Sequence, residues 1–216
     1  MIQPQYIYLH GFASSPASVK ARYLMKCFEG VGIKLAVPDL NCNDFSHLTI
    51  SRQIAQVVDL LQADKSPVVL IGSSLGGLTA AILAQQYPQI DRLILLAPAF
   101  DFLGHWLPKI GAEKLNLWER DRYLPIYHYG QQKLLPLHYD FIIDAHRYHL
   151  CPSDRRLPTL IIHGIIDDVI PIASSQNFAA NHPLVKLLEV DSDHNLTKFN
   201  HYIWQEICKF CYILSE

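Results

Sequence analysis

Apolar residues fall into short blocks along the chain, and the stretches between them carry apolar positions at helical spacing. The blocks cover residues 6–9, 33–37, 68–71, 93–98, 159–164 and 186–190, rich in Ile, Leu and Val. Runs of this length, bounded by Gly, Pro and polar residues, predict buried strands. Ser15 followed by Pro16 predicts a helix from there to about residue 29, closed by Gly30 and Gly32. Ile50, Ile54, Val57, Val58 and Leu61 recur on one helical face, and Phe199, Ile203, Ile207 and Cys211 do the same near the C-terminus. Residues 78–84 are helix-prone throughout. Strands alternating with helices imply right-handed crossovers, hence a three-layer α/β/α fold with a mostly parallel six-stranded sheet covered on both faces.

The rhythm breaks between residues 101 and 156. This stretch holds Phe102, Trp106, Trp118, Tyr123, Tyr127, Tyr129, Tyr139 and Phe141, with Pro108, Pro125 and Pro136. Residues 140–148 are its clearest helical segment. An insertion after the C-terminal end of a strand is expected to lie over a site as a cap. Its aromatics then either build the cap's own core or line an apolar pocket. At 216 residues the whole is expected to be one domain, 1–216, with 101–156 inserted.

Composition narrows the function. A formal net charge of −2 gives no basic footprint for nucleic acid, and no apolar run is long enough to span a bilayer. The first residues lack the positive region of a signal peptide, and the five cysteines are odd in number and scattered, so a reducing cytoplasm is expected. Cys208 and Cys211 lie in a helical pattern without a second ligand pair and are expected in the core. His146 and His149 near Asp144 lack a convincing third ligand, so no metal is expected. Neither a dinucleotide-type nor a Walker-type glycine loop is present, and no cofactor is implied.

The chemistry concentrates at residues 68–84, where an apolar run meets Gly72-Ser73-Ser74-Leu75-Gly76-Gly77 and passes at once into a helix. Gly-x-Ser-x-Gly between strand and helix is a nucleophile elbow centred on Ser74. A serine nucleophile needs a base, and the base needs a carboxylate to hold its tautomer. After Ser74, Asp167 and Asp168 follow the fifth strand, and His194 follows the sixth. His163 lies inside a strand and reads as structural. The N–H of Leu75, next after the nucleophile, is one oxyanion donor. The second is expected from the loop after the first strand, His10-Gly11-Phe12, as the N–H of Phe12, with His10 bracing the loop. Ser14, Pro98 and Trp106 are the candidate substrate contacts.

With these residues in place the chain resembles the α/β-hydrolases, and within them the small bacterial YqiA/YcfP-type esterases. The likeness is closest over residues 8–21 and 71–77, and weaker at 129–132, 167–169 and His194. The resemblance favours Asp167 over Asp168, because Asp-x-x-Ile-Pro is similar to the usual acid loop. It also implies the strand order 2-1-3-4-5-6 and hydrolysis of acyl esters or thioesters, including acyl-CoA types. Two features depart from the family: Asp-Ser-Asp precedes His194 where glycines are usual, and the cap sequence is largely its own.

The expected function is therefore a serine hydrolase that cleaves a small-molecule acyl ester or thioester through Ser74, His194 and Asp167. The alternatives are a non-catalytic small-molecule-binding protein on the same fold, or a C–C bond or amide hydrolase using the same triad. A Ser74–His194 separation far beyond hydrogen-bond reach would favour the binding protein. Natural substrate and oligomeric state are left open.

Overall fold

The computed structural model describes residues 3–148 and 155–213. Six parallel strands form the central sheet: β1 (Gln5–Leu9), β2 (Leu35–Ala36), β3 (Val68–Ser73), β4 (Ile90–Leu96), β7 (Thr159–Gly164) and β8 (Val185–Val190). Their order is β2-β1-β3-β4-β7-β8. The chain reverses direction across the sheet between β1 and β3, which are paired from Gln5↔Val68 to Leu9↔Gly72. In such sheets ligands bind beyond the carboxyl ends of the strands, next to this reversal.

That order departs from the expected 2-1-3-4-5-6 in its numbering. Two additional strands, β5 (Tyr123–His128) and β6 (Lys133–His138), intervene as a separate antiparallel hairpin. The hairpin is legible in hindsight: burial along β5 alternates, with Leu124 and His128 inside and Tyr123, Pro125 and Tyr127 outside. Pro125 and Pro136 pair across the ribbon, a placement open to proline because the outer edge of each strand is free.

Helices cover both faces. The central strands β1, β3 and β7 are buried on both sides and their side chains alternate between two cores, whereas the edge strand β8 is largely half-exposed. Ile7, Leu9, Val68, Leu70, Leu93, Leu95 and Ile161 pack toward α2 (Ile50–Ala63), α3 (Leu75–Gln86) and the insertion. Tyr6, Tyr8, Val69, Ile71, Ile94, Leu96, Leu160 and Ile162 pack toward α1 (Val19–Gly30) and α8 (Asn200–Cys211). Residues 75–84 of α3 are all buried, which explains their lack of a polar face. In α8, Ile203, Ile207 and Cys208 face inward, and Cys208 and Cys211 are free thiols in this packing. Among the described residues no helix is long and apolar enough to cross a membrane.

Two expectations change. Ser15 does not cap the first helix. Ser15 O accepts from Ser18 N in a turn at 3.0 Å, and Ser18 is the N-cap, its side chain accepting from Ala21 N at 3.3 Å. Pro16 thus belongs to the turn, and the helix starts three residues later. The second strand shrinks to Leu35–Ala36, because Ile33 N is bonded back to Phe28 O and Pro38 stops the ladder.

The insertion holds α4 (Phe102–Ile110), α5 (Ala112–Asp121), the β5–β6 hairpin and α6 (Asp140–Ala145), the last shorter than the expected 140–148. His149 and Cys151 lie outside the described residues. Trp118 and Phe141 are fully buried and Trp118 Nε1 donates to Leu137 O at 2.8 Å; both belong to the same core as the α2 and α3 face of the sheet. Tyr127 and Tyr129 are exposed. Asp144 accepts from Ser51 N at 2.9 Å and from Ser51 Oγ, tying α6 to the start of α2.

On the opposite face Phe28 is fully buried between Tyr6 and Trp204, each 4.9 Å away between ring centroids. Phe28→Ala is expected to cost about 3–5 kcal/mol in urea unfolding; a loss below about 1 kcal/mol would contradict this packing.

Candidate active site

Ser74 sits between β3 and α3 with φ 53° and ψ −119°, a left-handed conformation costly for a residue with a Cβ. What holds it there is close backbone packing. A Cβ on Gly72 would lie 2.6 Å from Gly77 Cα, and one on Gly76 would lie 2.5 Å from His10 O. Ser74 N donates to Leu96 O at 3.0 Å, and Ser74 O accepts from Gly77, Leu78 and Ala99 amides at 2.9–3.1 Å. Both ends of the strained peptide are therefore tied to regular structure.

His194 follows β8 and Asp167 follows β7, at the same edge of the sheet. His194 Nε2 lies 2.9 Å from Ser74 Oγ, and His194 Nδ1 lies 2.7 Å from Asp167 Oδ2. The Asp167 side chain is fully buried and that of His194 is 14% exposed. The separation that would have favoured a binding protein is not found. Asp168, the rival acid, is exposed and its backbone O accepts from Lys109 Nζ.

Asp167 is held on every side. Its Oδ1 accepts from Val169 N at 2.9 Å and Ile170 N at 2.8 Å, while Oδ2 also faces His163 Nε2 at 3.0 Å. His163 Nε2 has a second acceptor, Ile170 O, at 3.0 Å, so Nε2 carries the proton. Ser175 Oγ meets the other ring nitrogen at 2.7 Å. His163 is thus structural, as expected, yet it also donates to the acid. Its position four residues before Asp167, on a buried strand, is the only sequence signal for this. Burial alone would raise the Asp167 pKa, but the hydrogen bonds from His163 and His194, the His194 charge and the Ile170 amide outweigh it, holding the carboxyl well below the usual carboxylate range.

Gly164, at the end of β7, is a second position that sequence reasoning missed. A Cβ there would lie 2.7 Å from Asp193 O, so only glycine lets the histidine loop pack over the strand end. Ser192 N bonds Val190 O at 2.8 Å and Asp193 Oδ1 accepts from Asn195 N at 3.1 Å, bonds that order the Asp-Ser-Asp loop without glycine.

The His-Gly-Phe loop faces the elbow. A Cβ on Gly11 would lie 3.3 Å from Ser74 Cβ. His10 is buried, with Nδ1 2.9 Å from Gly11 O and Nε2 accepting from Leu40 N at 3.0 Å, so it braces the loop. Among the described residues the Phe12 amide has no hydrogen-bond acceptor. Leu75 opens α3, where an amide has no intrahelical acceptor. The Phe12 ring packs 5.3 Å from Trp106, edge-on, and 5.2 Å from Phe141. The Trp106 side chain therefore backs the Phe12 loop, and Pro98 lies beside the elbow, 3.1 Å from a Cβ placed on Gly77. Ser14 is drawn to Asn41, whose Nδ2 donates to Ser14 O at 2.9 Å.

Fold and geometry together define the class, an α/β-hydrolase fold with its elbow at Ser74. A family model matches residues 5–211, and the chain belongs to the uncharacterised protein family UPF0227, the family of YcfP/YqiA-type esterases. No curated protein matches the chain. Among solved structures it is similar to alpha/beta hydrolase domain-containing protein 10 from mouse (TM-score 0.82, 22% identity, covering 100% of this chain and 92% of that one). It is also similar to Est1E from Butyrivibrio proteoclasticus with ferulic acid bound (TM-score 0.77, 17% identity, covering 98% and 90%). A pyrethroid hydrolase from Sphingobium faniae JZ-2 is similar too (TM-score 0.69, 19% identity, covering 97% of each chain).

The lowered Asp167 pKa sets a pH dependence. A carboxyl whose folded pKa lies below its unfolded value, about 3.9, contributes stability that is present above that value and is lost as pH falls through the folded pKa. In urea unfolding, Asp167→Asn is expected to be less stable than wild type by at least about 1 kcal/mol at pH 6, and that gap is expected to narrow at pH 3. A gap that is constant or widens toward pH 3 would contradict the assignment.

Proposed function

We propose that this protein is a serine hydrolase of carboxylic esters or thioesters. The observation that carries the reading is the continuous hydrogen-bonded chain Ser74–His194–Asp167, 2.9 and 2.7 Å, ending on a strained serine at a strand–helix turn. In this reading Ser74 Oγ attacks the acyl carbon while its proton passes to His194 Nε2. Asp167 keeps the proton on Nδ1 and stabilises the imidazolium. The Phe12 and Leu75 amides donate to the developing oxyanion, each worth roughly 3 kcal/mol in such sites. His194 then gives its proton to the leaving alcohol or thiol, and a water activated by the same imidazole releases the acid from Ser74.

The family and the hydrolases that share the fold support this reading. In this reading the acyl group is apolar, because the loop beside Ser74 carries Phe12, which packs against Phe102 and Trp106, and the insertion over residues 101–156 acts as the cap of one domain. Pro98, beside the elbow, and Trp106, against the Phe12 ring, are the candidate substrate contacts; Ser14 has the weakest claim, since its backbone is drawn to Asn41.

A fluorophosphonate probe is expected to label wild type and to leave Ser74→Ala unlabelled. Turnover of p-nitrophenyl esters is expected to fall at least about 1,000-fold in that variant, with thermal melting unchanged within a few degrees. Labelling that persists in Ser74→Ala, or its absence from folded wild type, would overturn the proposal. The chain-length profile of the esters measures the depth of the acyl pocket.

A further inference from the structure

Asp167 receives two imidazoles on one oxygen. His163, in β7, is fully buried, and its Nε2–H lies 3.0 Å from Asp167 Oδ2, which also accepts from His194 Nδ1 at 2.7 Å. The same Nε2–H reaches Ile170 O at 3.0 Å. Ser175 Oγ, in α7 (Ala173–Ala180), lies 2.7 Å from His163 Nδ1. With the proton on Nε2, Nδ1 is an acceptor and the Ser175 hydroxyl donates to it. Two serine–histidine arms therefore end on Oδ2: Ser74–His194 and Ser175–His163. Burial separates their roles. Ser175 and His163 have no exposed surface, so no substrate reaches them, whereas Ser74 and His194 are partly exposed.

A buried strand position is cheapest when apolar, as at Ile161 and Ile162, and an imidazole is tolerated there only with its nitrogens bonded. The ring therefore needs a use. Asp167 Oδ1 does not supply one, because the Val169 and Ile170 amides already hold that oxygen at 2.9 and 2.8 Å. Those amides belong to a loop whose Asp168 and Val169 are exposed. Oδ2 is different. Besides His194, the group to be oriented, its one donor among the described residues is His163, on a strand that its ladders with β4 and β8 fix in place. By bonding Ile170 O as well, the imidazole ties the acid loop to that strand. It thus sets where Oδ2 lies, and with it the direction in which His194 Nδ1–H points. Each N–H bonded to a carboxylate also lowers its basicity, so Oδ2 draws on the His194 proton less strongly with His163 present than alone.

We propose that His163 is a positioning residue of the hydrolytic site: its Nε2–H fixes Asp167 Oδ2 so that the His194 ring is held turned to Ser74, and by sharing that oxygen it limits how far His194 Nδ1–H is drawn to the acid. Ser175 supports this by holding His163 in the tautomer that donates. No bond forms or breaks at His163. This rests on the hydrolase reading above.

The test compares wild type, His163→Leu, His163→Gln and Ser175→Ala. It reads fluorophosphonate labelling rate, kcat and KM for a p-nitrophenyl ester, thermal melting, and the far-downfield proton resonance of His194 Nδ1–H, assigned by its loss in His194→Ala. His163→Leu is expected to lower kcat and the labelling rate about 10- to 100-fold, the scale of a misplaced reacting group, with KM changed less than about twofold. Its His194 resonance is expected to move further downfield, because Oδ2 then has a single imidazole donor. His163→Gln, which restores an N–H near the place of Nε2, is expected to return kcat to within about threefold of wild type, and the resonance with it. A folded His163→Leu with wild-type kcat, or with an unmoved His194 resonance, overturns the proposal. So does a folded His163→Gln no better than His163→Leu, since a lowered melting temperature alone is what a merely structural role predicts. If circular dichroism shows His163→Leu unfolded, Ser175→Ala decides: lowered kcat with a shifted resonance supports the proposal, and either at its wild-type value overturns it. Failure of wild type to label overturns the hydrolase reading and the His163 role together, whereas labelling at Ser74 that is indifferent to His163 overturns only the latter.

Discussion

Everything at the sheet edge that carries Ser74 depends on how closely α3 approaches the ends of β1 and β3. The backbone of Gly76 packs against the carbonyls of Leu9 and His10, and Gly72 packs under Gly76 and Gly77. At that distance no Cβ fits, and the chain can leave β3 for α3 only by placing Ser74 at positive φ. The cost of that conformation, of order 1–3 kcal/mol, is offset by the fully buried α3 and by the amide bonds on both sides of Ser74. One consequence is that the serine projects past the sheet edge instead of joining the helix. Another is that the loop after β1 is pinned beside it.

The same contact explains the division of labour around the site. Residues that must be placed accurately come from strand ends, whose positions the ladder sets: Ser74 from β3, Asp167 from β7, His194 from β8. Each then receives a second layer of bonds. Asp167 is the extreme case, with two backbone amides on one oxygen and two histidines on the other. A carboxylate so fully engaged stays ionised and cannot rotate, which keeps the proton on His194 Nδ1. His163 and Ser175 extend this layer into α7 (Ala173–Ala180), so the acid is anchored to an element remote from the serine.

The insertion meets this frame through aromatic packing and a few polar ties. Phe12 belongs to the loop beside the serine, yet its ring is surrounded by Phe45, Phe102, Trp106 and Phe141. The hairpin adds Tyr129 N to Ala13 O at 2.8 Å, and His105 meets Ser174 Oγ at 3.0 Å. The loop after β1 and the insertion are thus one packed unit. Substitutions among the insertion's buried aromatics are felt at Phe12 without touching the serine.

The sequence by itself determined the sheet and the serine. Buried parallel strands must be continuous apolar runs, and a strand–turn–helix crossing this tight admits glycine at only two spacings, so both features were visible in local composition. The order Ser74, Asp167, His194 along alternating strands was visible for the same reason. The tertiary structure decided what local pattern cannot encode. The insertion's hairpin is not legible locally, because prolines in paired strands read as breakers unless the free edge is known. Ser15 and Ser18 both look like caps, and only the turn around Pro16 selects Ser18. His163 carries no local signature, since a buried histidine in a strand is ordinary until its partners Asp167 and Ser175, and through Asp167 the distant His194, are known. Long-range hydrogen bonds give such residues their meaning, and those bonds exist only once the sheet has brought its strand ends together.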